Sequence, residues 1–136
     1  MEFHASPAMV IDTSALVAIF LGEPERRPFL EHILQAETKL LSAANSLETG
    51  IVLEARRGEA AGREFDLFIV RAKIEIVSVD AEQSEIARSA WRRYGKGRHA
   101  AGLNFGDCFA YALAKSVGQE LLAKGENFRS TDVELA

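Results

Sequence analysis

The sequence predicts an α/β fold in which a mostly parallel sheet is covered by helices on both faces. Three observations predict it, the first two being that four short apolar runs have the composition of strands and that helical segments separate them. The third is length, since 136 residues with no repeat, low-complexity tract or Pro/Gly/Ser linker make one domain of ordinary size. Residues 1–8 read as a leader or cloning remnant, and residues 9–136 as the single domain.

Taken in order, residues 9–11 are apolar and β-branched, as a buried strand requires. Asp12, Thr13 and Ser14 supply cap residues for a short helix over 15–20. Gly22 ends it, and Pro24 is expected at the first position of the next helix, where its missing N–H costs nothing. Phe29, Leu30, Ile33 and Leu34 give that helix one apolar face. Residues 39–41 form a second strand, followed by a helix from Ser42 to about Arg57, closed by Gly58. A helix over 60–71 buries Phe65, Phe68 and Ile69. Residues 74–79 alternate and read as a third strand. Asp80 caps a helix with Ile86, Ala90 and Tyr94 on one face, broken by Gly95. Asn104 caps a helix over 105–117 that is apolar nearly all round and therefore central. Residues 120–123 form a fourth strand, and a Thr131–Asp132 cap with a short turn ends the chain.

Composition narrows the function. A net charge of −4 excludes a protein that coats nucleic acid indiscriminately. One cysteine, Cys108, excludes an intrachain disulfide framework and a cysteine-based zinc site. No apolar run reaches membrane-spanning length, and the first residues lack the pattern of a signal peptide, so a cytoplasmic protein is expected.

Sites in such sheets form beyond the carboxyl ends of the strands. Acids recur there: Asp12 after the first strand, Glu48 early in the helix after the second, Asp107 in the first turn of the central helix, and Glu126 and Asp132 after the last strand. Each has a local reading as well. Asp12 caps a helix, Glu48 completes a capping box with Asn45, and Asp107 suits a helix dipole. Together, acids on one edge repel one another unless a cation joins them, and hard oxygen donors without His or Cys favour Mg²⁺ or Mn²⁺. Gly106 would let another group approach the backbone beside Asp107.

Four segments carry a resemblance. They are Val10-Ile11-Asp12-Thr13-Ser14-Ala15-Leu16, Asn45-Ser46-Leu47-Glu48, the stretch from Tyr94-Gly95-Lys96-Gly97-Arg98-His99 to Leu103-Asn104-Phe105-Gly106-Asp107-Cys108, and Lys124-Gly125-Glu126-Asn127-Phe128 with Thr131-Asp132. In order and spacing the chain resembles the PIN-domain ribonucleases, specifically the VapC toxins of toxin–antitoxin pairs. The resemblance implies a PIN-like three-layer α/β/α sandwich with four to five strands. It also implies a Mg²⁺- or Mn²⁺-dependent endoribonuclease toxin that cuts tRNA or rRNA, inhibits translation, works as a homodimer and is neutralised by a VapB-type antitoxin. Asp12, Glu48 and Asp107 become the catalytic, metal-holding acids. Ser14 and Thr131 become supporting residues. One departure stands out: Asn127 occupies a position where the family commonly has an acid. Glu126, Asn127 and Asp132 are the alternatives for a further metal or water ligand. A PIN-like RNA-binding module with a weakened site is the competing reading. A receiver domain or an aspartate phosphatase is not supported, because the adjacent acids of the first and the second aspartate of the other are missing.

Charge is distributed unevenly. Residues 86–106 carry five Lys and Arg and no acid, leaving −9 on the remainder. Arg88, Arg92 and Lys96 repeat every four residues as one helical stripe, and with Arg98 they lead toward Asp107. Arg92, Lys96 and Arg98 are the expected RNA-binding residues. Trp91 is expected in the core or between copies, His99 in solvent, and Cys108, Phe109 and Tyr111 in packing.

Overall fold

A computed structural model describes residues 8–136, so the expectation for the first eight residues lies, apart from Ala8, outside the described residues. The chain runs β1 (Met9–Ile11), α1 (Thr13–Phe20), α2 (Arg26–Gln35), β2 (Lys39–Ser42), α3 (Ala43–Arg57), α4 (Glu59–Arg71), β3 (Glu75–Val77), α5 (Ala81–Tyr94), α6 (Phe105–Val117) and β4 (Glu120–Leu122). A 3-10 turn follows at Asn127–Ser130.

The four strands form one sheet in the order β3-β2-β1-β4, and every pairing is parallel. The chain moves outward from β1 to β3 and then crosses back to place β4 on the other side of β1. The order therefore reverses between β1 and β4, where an open parallel sheet leaves a crevice at its carboxyl edge. Register divides the strand residues between two cores. Val10, Leu40 and Leu121 face α5 and α6, packing with Tyr94, Leu103, Tyr111 and Leu113. Met9, Ile11, Leu41 and Leu122 face the opposite side, against Leu16, Ile33, Leu53 and Phe65. Short strands whose central residues are apolar are what a sheet covered on both faces demands.

Several boundaries differ from the sequence reading. Helix α2 begins at Arg26, because the chain after α1 first makes a turn through Gly22, at φ +67°, closed by bonds from Glu23 N–H to Ala18 O and from Arg26 N–H to Glu23 O. Pro24 lies in that turn, and Pro28 is the proline in the first helical turn. Leu34 is not on the buried face of α2; Ile33 is. Helix α3 begins at Ala43, with Ser42 Oγ accepting from Ala44 N–H, so Asn45 is inside the helix rather than its cap. Strand β3 is shorter than residues 74–79 and lies at the sheet edge, with Ile76 exposed. At the C-terminus, Thr131 ends the 3-10 turn instead of starting another, and Leu135 bridges to Leu121, so the tail covers part of the β4 edge. Among the described residues no helix is long and apolar enough to cross a membrane.

Candidate active site

Asp12 directly follows β1 at the crevice. Its N–H donates to Leu122 O across the β1–β4 pairing at 2.9 Å, which fixes where the side chain begins. The carboxylate caps α1: Oδ2 accepts from Ser14 N–H at 2.9 Å. The capping role read from the sequence is real, but it occupies one oxygen. Asp12 is 2% exposed, and its Oδ1 is buried with no hydrogen-bond partner. An orphaned carboxylate oxygen is costly to bury without a proton or a cation.

Glu48 reaches the same crevice from α3. Its Oε1 accepts from Thr13 Oγ1 at 2.6 Å. Asn45, one turn earlier and fully buried, donates through Nδ2 to Gly106 O at 3.0 Å and lies 3.3 Å from the same Glu48 oxygen. The Asn45–Glu48 pair exists, but as a bridge from α3 to α1 and α6 in place of the expected capping box. A Cβ on Gly106 would sit 2.6 Å from Glu48 Cδ, so the glycine clears the space this carboxylate fills. The close approach expected at Gly106 is made by Glu48.

Asp107 completes the set from α6. It forms a reciprocal capping box with Asn104: Asp107 N–H donates to Asn104 Oδ1 at 2.8 Å, and Asn104 N–H to Asp107 Oδ2 at 3.0 Å. Asn127 Nδ2 donates to the same Asp107 oxygen at 3.3 Å.

Two of these carboxyls, Asp12 and Asp107, lie above their ordinary value. Burial, above all, pushes the Asp12 carboxyl up to about 7, with the negative charges of Asp107 and Glu48 adding to it against the hydrogen bonds from Ser14. Burial also raises Asp107, helped by Glu48 and opposed by the donors of Asn104 and Asn127. Among the described residues, no three His, Cys, Asp or Glu side chains close into a ready-made metal cage. The arrangement is an open, like-charged set. That suits Mg²⁺, which commonly takes one or two carboxylates and keeps several waters. The orphaned Asp12 oxygen and the all-oxygen donors fit such an ion.

The other sequence candidates separate. Asn127 joins the acids. Glu126 does not: it is exposed and pairs with Arg129 at 3.4 Å. Asp132 points elsewhere, accepting from Tyr111 Oη at 2.5 Å and pairing with Lys115 at 3.3 Å and Arg93 at 3.6 Å. Burial would raise its carboxyl, but these three partners hold it below its ordinary value. Thr131 donates to Phe128 O and serves its own turn. Ser14 Oγ accepts from Lys124 N–H at 2.8 Å and ties the loop after β4 to α1.

The basic segment also differs from a simple stripe. Lys96 lies beyond the end of α5, in a loop closed by bonds from Lys96 N–H to Leu103 O and from Leu103 N–H to Tyr94 O. Arg98 stacks over the Trp91 ring at 4.6 Å, and its Nε donates to Arg92 O at 3.3 Å. Trp91 is 46% exposed and is not a core residue. His99 is held rather than free: Nδ1 accepts from Ala101 N–H, and its ring packs edge-on against Tyr94. Cys108 is buried; burial, then the charge of Asp107, pushes its thiol up to about 11, so it is no nucleophile.

Asn45 is the residue whose part the sequence reading missed. For Asn45 a signal existed: it shares helical phase with Thr49 and Leu53, and all three are buried.

A crevice at the strand-order reversal, where the buried Asp12 meets the half-buried Glu48 and Asp107 from two other elements, defines an acid-centred α/β protein. Residues 9–134 match the PIN domain family, and relatives named VapC ribonucleases match over nearly their whole length, so the chain belongs to the PIN domain family and, within it, to the VapC ribonucleases. It is 58% identical over 125 residues to a "Ribonuclease VapC" of Mycolicibacterium smegmatis, covering 92% of this chain and 97% of that one. It is 54% identical over 125 residues to "Ribonuclease VapC30" of Mycobacterium tuberculosis, covering 92% and 95%. The fold is similar to that of Mycobacterium tuberculosis VapC20, described as a sarcin-ricin loop cleaving toxin, with a TM-score of 0.77 at 18% identity over 95% of this chain and 98% of that one. A toxin–antitoxin complex from Klebsiella pneumoniae gives a TM-score of 0.70 at 17% identity over 95% and 97%.

Proposed function

We propose that this protein is a Mg²⁺- or Mn²⁺-dependent endoribonuclease toxin, with Asp12, Glu48 and Asp107 as its catalytic acids. The observation that carries the reading is the buried, unpartnered Asp12 Oδ1, on a carboxyl that feels the charges of Asp107 and Glu48 from distant segments. Asp12 and Asp107 would hold the ion and Glu48 would complete the set. A bound ion of this kind activates water and offsets charge developing on a phosphodiester. The chain's own contribution is positional. Ser14 N–H fixes one Asp12 oxygen and leaves the other free, Thr13 and Asn45 fix Glu48, and Asn104 and Asn127 fix Asp107. Asn127 stands in this set as a neutral donor, and it supports Asp107 instead of adding a further negative charge. Arg92, Lys96 and Arg98 would meet the phosphate backbone.

Cytoplasmic location, a VapB-type antitoxin, a homodimer and a tRNA or rRNA target belong to the same proposal, and membership of the VapC ribonucleases supports them. The competing reading, an RNA-binding module with a weakened site, draws on the neutral Asn127. One experiment decides between them. Structured RNA is incubated with the purified protein in Mg²⁺ or Mn²⁺, then in EDTA, beside Asp107→Asn. Cleavage that needs the ion and is lost in the variant is expected. Cleavage by Asp107→Asn at the unmodified rate, or in full chelation, overturns the assignment, and binding without cleavage favours the module.

A further inference from the structure

Beside the acids, α5 and the start of α6 frame a groove of about 610 Å³. Trp91, Phe105 and Phe109 line it, Arg88 and Lys96 lie along it, and no acidic side chain does. Phe105 is 82% exposed and stacks edge-to-face on Phe109 with ring centroids 4.8 Å apart. Asn104 also lines the groove, and it is the residue whose side chain caps Asp107. Through Asn104 the groove borders the acid site.

We infer that this groove is a stacking subsite for an unpaired base of an RNA strand, with Phe105 as the residue that positions the base next to Asp107. The inference rests on the ribonuclease reading and deepens it. Charge selects the occupant. A second copy would set this cationic segment against its own like charge, whereas an RNA strand brings phosphates to Arg88 and Lys96 and an aromatic face to Phe105. A large aromatic ring left in water in a groove with Arg88 and Lys96 suits base stacking, which tolerates any base and needs no hydrogen-bond code. Phe105 acts through the placement of the strand and takes no part in bond breaking.

Trp91 is the chain's single tryptophan, so the groove carries its own fluorescent reporter. The unmodified chain, Phe105→Ala and Phe105→Tyr are titrated in EDTA with a short unstructured RNA and with an abasic ribose-phosphate strand of equal length. Sedimentation of all three proteins runs in parallel. The RNA is expected to quench Trp91. Phe105→Ala should weaken RNA binding at least about fivefold while Phe105→Tyr stays within about twofold. The abasic strand should bind the unmodified chain and Phe105→Ala equally. Equal affinity of the unmodified chain for both strands, absence of quenching, or a change of oligomeric state in Phe105→Ala overturns the inference, the last by making this face a contact between copies. Cleavage of the same RNA with Mg²⁺ or Mn²⁺ is scored separately, where Phe105→Ala should raise KM more than it lowers kcat. Quenching without cleavage by the unmodified chain would sink the ribonuclease reading and leave the groove standing.

Discussion

Thr13 Oγ1 donates a 2.6 Å hydrogen bond to Glu48 Oε1, joining the first residue of α1 to the second turn of α3 across 35 residues. The hydroxyl is the shortest contact that carboxylate makes, and Asn45 supports the same oxygen. Thr13→Val keeps the shape and removes the donor. A bond to a charged group contributes about 1.5–3 kcal/mol, so stability should fall by that order in urea denaturation and cleavage should drop with it. Unchanged cleavage would show that Glu48 holds its place without Thr13.

Gly106→Ala tests the clearance beside Glu48. The added Cβ meets the carboxylate at 2.6 Å, so Glu48 must move and cleavage should fall at least about tenfold, as misplaced catalytic groups commonly cause. Gly50, inside α3, has open space where a Cβ would go. Gly50→Ala should therefore keep activity and raise stability by up to about 1 kcal/mol through helix propensity. Parallel thermal melts and cleavage assays separate the two glycines.

Stability should fall with pH in chelator. The Asp12 carboxyl is about 7 in the fold and 3.8 when free, so the folded state holds a proton that the unfolded state has released between those values. That contribution to stability is full below about 3.8 and declines as pH rises toward 7, and Asp107 shifts the same way. Asp12→Asn should flatten the decline while abolishing cleavage, and Mg²⁺ should stabilise the unmodified chain more at pH 8 than at pH 5. Melting temperatures across that range check all three.

Asp132 should behave as a structural residue. Its partners Tyr111, Lys115 and Arg93 fasten the C-terminal segment to α5 and α6, with no contact to Asp12, Glu48 or Asp107. Because the side chain is 40% exposed, Asp132→Asn should cost about 1 kcal/mol or less and retain most cleavage. Loss of activity comparable to Asp107→Asn would place it in the site after all.

Arg92→Ala and Lys96→Ala should each weaken RNA binding similarly for different sequences and lower the slope of log affinity against log salt by about 1. A slope that stays the same would leave both side chains as part of a solvated surface.

Much of this molecule was legible before folding. Each strand and helix announced itself through apolar runs, caps and breakers, because those signals act within a few residues. Asp12 and Asp107 were legible for the same reason, since each sits at a helix start that its neighbours define. The choice among Glu126, Asn127 and Asp132 was not. They span seven residues, and only the 3-10 turn at Asn127–Ser130 turns Asn127 toward Asp107 while Asp132 faces Tyr111. Asn45 shows the opposite failure. Its spacing to Glu48 fits a capping box, but Ser42 starts the helix one turn earlier and frees Asn45 to bridge to Gly106, 61 residues away.

The sequence by itself determined the α/β class, the two-sided burial of the strands, the acids at the carboxyl edge and the separation of a cationic segment from an acidic remainder. Tertiary structure alone decided which oxygen of Asp12 is left unpartnered, which hydroxyl holds Glu48, and that Trp91 and Phe105 face the same groove. Periodicity and capping are settled by near neighbours. Hydrogen-bond partners and grooves depend on which distant segments the sheet order brings to one edge.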